Sequence, residues 1–328
     1  MIRPIVIAIA TAAALLATLL ILPPWLVSLS TAALARGILA LGIVLLMRAG
    51  LVSFGQGLYY AIGGYIAAVA PGLLGLTDVV GIVILAALAA GAVGVLVGPL
   101  LARYTGVFFG MLTLALSMVF YGVAVKTSAI GGSDGLNVMR GTLFGHPLSG
   151  SAAQQAYFAI AAVFACVLAA ACYIHFRSER GLVALAIRDN ALRMEYLGTP
   201  VRSVLATSYA MAGAFGGVGG AIAGFAFGHV DPDFAYWTTS GELMFIAILG
   251  GSQSVAAAFV ASFVLELVRS FSALYFPNMW QLFLGLFILA IIAFLPRGIG
   301  ALWVQVRRPA ADEASSAESA RRLVETAS

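Results

Sequence analysis

The chain has 328 residues, 62% of them hydrophobic and 9% charged, with a mean hydropathy of +1.06. Soluble domains carry about 25% charged residues, so a water-soluble globule of this size is excluded and a polytopic membrane protein is indicated. The net charge of +4 does not point to nucleic acid, because the basic residues sit in short loops between apolar runs.

The N-terminal stretch MIRPIVIAIATAAALLATLLILPPW carries about 19 apolar residues up to Pro23-Pro24, enough to cross a bilayer. It lacks the short core and small-residue cleavage site of a secretory signal, so an uncleaved first transmembrane helix is expected. Further apolar runs bounded by Gly, Pro and charge bring the expected segments to ten: 5–25, 32–47, 57–70, 79–101, 107–125, 152–175, 203–228, 241–250, 254–276 and 281–296. The expected fold class is therefore all-α, with about ten transmembrane segments. Segment 241–250 is too short to cross unaided and is expected to be a half-helix or a re-entrant element covered by protein or water.

Two polar breaks interrupt this pattern. SFGQGLYYAIGGYIAAV (53–69) opens on a Gly-broken polar turn, and AIGGSDGLNVMRG (129–141) lies in the longest loop. Gly131, Gly132 and Gly135 permit positive φ, which turns backbone amides towards a ligand. Helix ends freed by such breaks hold charged substrate groups in many transporters. Ser53, Gln56, Ser133 and Asp134 are thus the candidate substrate-pathway residues. The competing reading is ordinary turns, with Asp134 capping one.

Cys166 and Cys172 share one apolar run but face different sides of a helix, so two free thiols are expected rather than a disulfide. The three histidines have no ligand spacing, and no metal site is assigned. In GAFGGVGGAIAGFAFG, Gly216, Gly220, Gly224 and Gly228 recur every four residues beside Gly213 and Gly217, a small-residue face suited to close helix packing. Glu242 is read as opening the short segment, where a carboxylate suits a helix N-terminus. Glu266 and Arg269, three apart, are expected to neutralise each other.

Orientation follows from the basic residues. With the N-terminus inside, Arg3, Arg48, Arg103, the arginines from Arg177 to Arg202 and those from Arg297 to Arg322 are cytoplasmic, against Lys126 and Arg140 outside. Arg36 and Arg269 lie within spans. Both termini are then cytoplasmic, provided the short segment crosses. Residues 1–306 read as one transmembrane domain and 307–328 as a cytoplasmic tail, disordered or weakly helical.

The polar island RSERGLVALAIRDNALRMEYLGTPV (177–201) falls on the cytoplasmic side. Gly181 is read as preceding a short helix 182–188, and Asn190 as the N-cap of a second, 191–197, which Gly198 ends at C′ with Pro200 just beyond. Leu182, Leu185, Leu192 and Tyr196 follow helical spacing, leaving Arg188 and Arg193 for solvent or a partner. A helix lying on anionic lipid is the alternative, opposed by Glu179, Asp189 and Glu195. The sequence has no GxxxxGK[ST], GxSxG or HExxH motif and no catalytic residue is assigned. Any ATP energy must come from another subunit.

The island resembles the cytoplasmic coupling loop of ABC importer permeases, whose Glu-x-x-Gly core is matched by Glu195, Tyr196, Leu197 and Gly198. Gly181, Ala184, Ile187, Arg188, Asp189, Asn190, Glu195 and Gly198 are similar to the LivM-type permeases of branched-chain amino acid importers. LVSFGQGLYYAIGGYIAA (51–68), GGSDGL (131–136) and ELMFIAILGGSQSVAAAFVAS (242–262) agree in order, so the resemblance covers most of 30–297. GGSQSVAA departs from the family's Gly-Gly-x-Gly followed by Gly-Pro, and Tyr196 stands where small Ala is commoner. The resemblance implies a coupling loop at 177–202, with Gly181, Arg188, Asp189, Asn190, Arg193, Glu195 and Gly198 engaging an ATPase. It further implies a homologous second permease, two cytoplasmic ATP-binding cassette subunits that hold ATP and Mg, and a periplasmic substrate-binding protein, all at the bacterial inner membrane. This chain then needs no cofactor of its own. Importers of urea, amides or aromatic acids remain open as substrate classes. A self-contained secondary carrier or channel is the reading from a different class, and a membrane enzyme comes last.

Overall fold

The computed structural model describes residues 2–19, 22–252, 254–277, 279–294 and 298–300. The expected tail, 307–328, and the basic residues from Arg297 onward lie outside them. Eleven α-helices follow one another: α1 Ile2–Thr18, α2 Pro24–Arg48, α3 Gln56–Leu74, α4 Val79–Leu101, α5 Gly106–Lys126, α6 Gly150–Arg177, α7 Glu179–Tyr196, α8 Val201–Phe227, α9 Trp237–Gly250, α10 Val255–Tyr275 and α11 Trp280–Phe294. Each of the ten expected apolar runs appears as a helix, in order, and α7 is the polar island. Among the described residues seven helices, α2 to α6, α8 and α10, are long and apolar enough to cross a membrane. The largest boundary error is at α2, expected from 32. It starts at Pro24, whose fixed φ suits the first helical turn and whose missing N–H has no partner to lose there.

The helices alternate between two ends. One end gathers the turns 75–78, 127–149 and 228–236. There β1 (Leu136–Asn137) pairs antiparallel with β4 (His229–Val230), and β2 (Thr142–Leu143) with β3 (His146–Pro147). Thr142 N–H also donates to the Thr77 carbonyl at 2.8 Å, tying the first turn to the long loop. The opposite end carries α7 and the turns 49–55 and 251–254. Of the basic residues in the sequence's bias, Arg48, Arg103, Arg177, Arg180, Arg188, Arg193 and Arg202 fall at the α7 end, while Lys126 and Arg140 fall at the other.

α8 is the central helix because its glycines let three neighbours approach backbone to backbone. A Cβ at Gly216 would stand 2.5 Å from Tyr59 Cβ of α3, and one at Gly220 would overlap the Tyr60 carbonyl. At Gly217 it would strike the Ala86 carbonyl of α4, and at Gly219 it would sit 2.6 Å from the Ala35 carbonyl of α2. Gly228, expected on the packing face, is not there. It has φ +70 and caps α8 in the left-handed conformation, and a Cβ at this position would meet nothing within 4 Å. Cys166 and Cys172 are buried and free, as expected.

Two helices begin inside the bundle. Gln56, the first residue of α3, packs against Gly42 and donates from Nε2 to the Ala212 carbonyl at 2.7 Å. Gly42 lies six residues before the end of α2, about 9 Å in at 1.5 Å per residue. After α8 the chain turns back inward: Phe234 stacks on Tyr60 at 4.3 Å, and the Ala235 carbonyl accepts from Ser117 Oγ of α5 at 2.7 Å. α9 then starts at depth and runs to the α7 end, where Arg188 Nη1 reaches Ser252 Oγ at 3.4 Å. Its 14 residues span about 21 Å, short of a core of roughly 30 Å. The segment expected as 241–250 is therefore a half-helix starting at Trp237. Glu242 stands in its second turn rather than at its start.

Candidate functional site

The first functional element is α7. Its N-cap is Ser178, whose Oγ accepts from the Gly181 N–H at 3.3 Å, so the helix begins before Gly181 rather than after it. Gly181 is needed because a Cβ there would run into the His175 carbonyl where α6 folds over into α7. The helix breaks once, at Asn190 (φ −160, ψ 97), where the side-chain Oδ1 accepts from the Arg193 N–H at 2.9 Å and starts the second half. It ends in a paired C-terminal motif. Thr199 N–H donates to the Met194 carbonyl at 3.0 Å and Gly198 N–H to the Glu195 carbonyl at 2.9 Å, with Gly198 at φ +80. The Asn190 and Gly198 capping roles read from sequence hold.

The packed face of α7 differs from the one its spacing suggests. Ala184 and Ile187 are buried in the cluster holding Leu46, Leu51 and Leu205, with Val183, Ala191 and Met194 packed against it, and Gly181 is buried where α6 meets α7. Leu182, Leu185 and Leu192 point outward, and Tyr196 and Leu197 are 84% and 73% exposed. Asp189, Arg193 and Glu195 share that outer surface. Arg188 is different. Its backbone lies against Gly50 (φ +78) in the turn before α3, and its guanidinium reaches Ser252 in the turn after α9. Arg188 thus touches the lead-in of one half-helix and the exit of the other.

The second element is the junction where α3 and α9 begin. A helix N-terminus in a low-dielectric interior leaves backbone donors that must be satisfied. Here hydroxyls do it. Phe54 N–H donates to Thr113 Oγ1 of α5 at 3.2 Å, Gly55 N–H to Ser53 Oγ at 3.3 Å, and Gly57 N–H to Ser240 Oγ of α9 at 3.1 Å. Ser53, Gln56, Thr113, Ser117 and Ser240 are all fully buried. Gln56 Oε1 has no hydrogen-bond partner among the described residues. Of the four pathway residues expected from sequence, Ser53 and Gln56 belong to this junction. Ser133 and Asp134 lie in the exposed loop at the opposite end from α7, bonded to each other at 3.2 Å, and are not brought to it. Gly131, Gly132 and Gly135 adopt the positive φ anticipated for that loop. Thr113, Ser117 and Ser240 are not among the residues expected from sequence; Thr113 and Ser117, four apart in an apolar helix, are the signal that could have found two of them.

A third feature is ionic. Arg36 of α2 pairs with Glu266 of α10 at 2.8 Å and lies 3.7 Å from Glu242 of α9, and Arg269 of α10 donates to the same Glu242 Oε2 at 3.2 Å. The expected Glu266–Arg269 pairing along one helix is therefore replaced by pairing between helices, which lets four charges bridge three elements. Arg269 also covers the Trp280 ring of α11 at 5.1 Å. At the loop end, burial and then the neighbouring Asp233 push the Asp231 carboxyl above its ordinary range. Among the described residues, no three His, Cys, Asp or Glu side chains are grouped as a metal site would need.

Known proteins resemble the chain as a whole. A family described as branched-chain amino acid transport system / permease component matches residues 25–292. The high-affinity branched-chain amino acid transport system permease protein LivM of Escherichia coli (strain K12) is 25% identical over 300 residues, covering 83% of this chain and 69% of the relative. LivM of Salmonella typhimurium (strain LT2) matches to the same extent. No solved structure matches significantly.

Proposed function

Because this multi-pass membrane chain belongs to the branched-chain amino acid transport permease family, we propose that it is the pore-forming subunit of an ATP-driven importer of branched-chain or related amino acids. ATP and Mg are bound by two separate cytoplasmic cassette subunits, a homologous permease completes the pore, and a periplasmic binding protein delivers substrate. The chain sits in the bacterial inner membrane with both termini and α7 on the cytoplasmic side, in line with the arginines gathered at the α7 end.

One observation carries this reading. α7 is short, capped at both ends and packed through Gly181, Ala184 and Ile187, while it exposes leucines, Tyr196 and charges of both signs. A lipid-surface helix would bury that apolar face beneath a uniformly basic one; mixed charge around an apolar centre suits a protein groove. In this reading Gly181, Asn190 and Gly198 shape the handle, Asp189, Arg193 and Glu195 meet the ATPase, and Arg188 relays its movement inward. The substrate route passes the α3 break at Ser53 and Gln56, and the Ser133–Asp134 loop meets the binding protein.

The test is reconstitution. Leucine uptake into proteoliposomes should require the cassette subunits, ATP and the binding protein. Uptake by this chain alone, driven by an ion gradient, would overturn the importer reading in favour of a secondary carrier. In the complete importer, a Glu195→Arg, Gly198→Val double variant should lose the ATPase or hydrolyse ATP without transport.

A further inference from the structure

Among the described residues Arg36, Arg48 and Arg269 are the partly buried arginines. Arg36 and Arg269 meet Glu266 and Glu242. Arg48, the last residue of α2, forms no ion pair among the described residues, and its Nε is buried without a hydrogen-bond partner there. Its guanidinium lies 4.4 Å over the Phe176 ring of α6. A guanidinium half withdrawn from water with a ring as its contact is a costly arrangement until an anion reaches it. The negative end of the α2 dipole offsets only part of a full charge.

The same corner of the bundle gathers more positive charge. His175 lies within electrostatic reach of both Arg48 and Arg180. Arg177, between His175 and Arg180 in sequence, covers the Tyr173 ring at 4.9 Å. Glu179 is the acidic residue of this stretch, and it is exposed and paired with none of these arginines. Below the corner α6 is apolar: Val163, Val167 and Ile174 are exposed and, by helical spacing, share the face that ends in Arg177. α1 covers the neighbouring face, at Phe158, Ala162 and Cys166, and leaves this one open. In a chain that spans a membrane such a face lies against acyl chains. That puts Arg48 and Arg177, both in the last turns of spanning helices, at headgroup level.

We propose that the corner formed by Arg48, His175, Arg177 and Arg180 binds the phosphate of an anionic phospholipid in the adjacent leaflet, whose acyl chains follow the Val163–Ile174 face of α6. Guanidiniums are strong donors to phosphate oxygens, and basic pockets between spanning helices hold anionic headgroups. A bilayer lipid is the source, rather than free phosphate, because the apolar track leads from the membrane to the charges. The corner lies where α6 folds over into α7, with Gly181 against the His175 carbonyl, so a bound headgroup braces the first turn of α7. The assignment needs only that the chain spans a membrane, and it stands or falls apart from the importer reading.

The experiment takes the full chain in detergent, with any subunits that copurify, and reads lipid retention by native mass spectrometry. The probes are dioleoyl phosphatidylglycerol and dioleoyl phosphatidylcholine, with inorganic phosphate as competitor. Phosphatidylglycerol should be retained over phosphatidylcholine, and Arg48→Gln and Arg180→Gln should each weaken its binding about fivefold. Arg103→Gln, an exposed charge at the same end of the bundle, should leave it unchanged. Should Arg48→Gln not fold, Arg177→Gln and Arg180→Gln, on exposed side chains, give the same reading. Equal retention of the two lipids overturns the proposal, as does a loss in Arg103→Gln as large as in Arg48→Gln, which would make the effect one of net charge. Displacement of the lipid by millimolar phosphate assigns the corner to free phosphate instead. Loss of a copurifying subunit in Arg48→Gln with lipid retention intact makes it a protein contact and equally removes the lipid site.

Discussion

The caps of α7 offer the most direct route from structure to coupling. Asn190→Ala removes the Oδ1 that accepts the Arg193 N–H at 2.9 Å, at a position whose φ of −160 already places it outside the helix. Loss of an N-cap costs about 1 kcal/mol. Gly198→Ala forces a side chain into φ +80, where L-residues pay roughly 1–2 kcal/mol. The two sites are about 12 Å apart along the helix and share no hydrogen-bond partner, so their effects should nearly add. A combined loss of about 2 kcal/mol is roughly thirtyfold in the equilibrium between the ordered and frayed second half. Hydrogen exchange at the amides of 193–199 should accelerate by that factor in the double variant, and transport per ATP hydrolysed should fall with it. Unchanged protection of those amides, or coupling retained after protection is lost, refutes the reasoning.

Other consequences are quicker to check. Gly219→Ala places a methyl 2.6 Å from the Ala35 carbonyl, so α2 and α8 must separate, costing about 1–3 kcal/mol; Gly122→Ala, with nothing within 4 Å, should be neutral or slightly stabilising. Equal melting temperatures for the two would contradict the packing described. Ser240→Ala strands the Gly57 N–H inside the bundle, at about 1–3 kcal/mol, whereas Ser133→Ala in the exposed loop should leave thermal stability as it is. For Asp231, a native carboxyl raised above its unfolded value of 3.8 holds more protons than the unfolded chain, so stability declines as pH rises through that window. Asp231→Asn should therefore raise the melting temperature at pH 7 and have no effect near pH 3; a gain of the same size at both would show that the carboxyl's charge is not the cause.

Membrane helices are legible in the sequence because burial in lipid demands long apolar runs, and the α7 caps are legible because capping is local chemistry at fixed spacing. Orientation of a face is not. Leu182, Leu185 and Leu192 look like a packing stripe in sequence, yet the residues buried beneath α7 are Gly181, Ala184 and Ile187, with Val183, Ala191 and Met194 partly buried beside them. Which face turns inward is set by how α6 and α8 sit on the rest of the bundle, and their partners α2, α3 and α4 are distant in sequence. Pairing across helices is hidden for the same reason. Glu266 and Arg269 are neighbours on paper, but Arg36 and Glu242 arrive from 230 and 27 residues away. The polar junction is half visible: its glycine break and Ser53 show, while the other hydroxyls that close it, Thr113 and Ser240, come from α5 and α9.

Arg188 is where these pieces meet. The other charged residues near it, Asp189 and Arg193, face outward, whereas it connects the turn before α3 with the turn after α9, the two half-helices whose N-termini are joined by Gly57 and Ser240. On the importer reading proposed above, a push on α7 would reach both half-helices through Arg188, while one delivered at Arg193 or Glu195 would first pass through α7 itself. The two kinds of arginine should then fail differently. Arg193→Ala, at the exposed surface, should weaken association of the cassette subunits and lower ATP hydrolysis and transport together. Arg188→Ala should keep the cassettes bound and hydrolysing ATP while transport falls, because the handle is gripped but its movement is not passed on. Ser252→Ala should reproduce that uncoupling in milder form, since the backbone contact with Gly50 survives. Measuring cassette retention, ATP hydrolysis and leucine uptake on the same three preparations separates the roles. If Arg188→Ala and Arg193→Ala lose cassettes alike, Arg188 is part of the docking surface and the two half-helices are moved by some other contact.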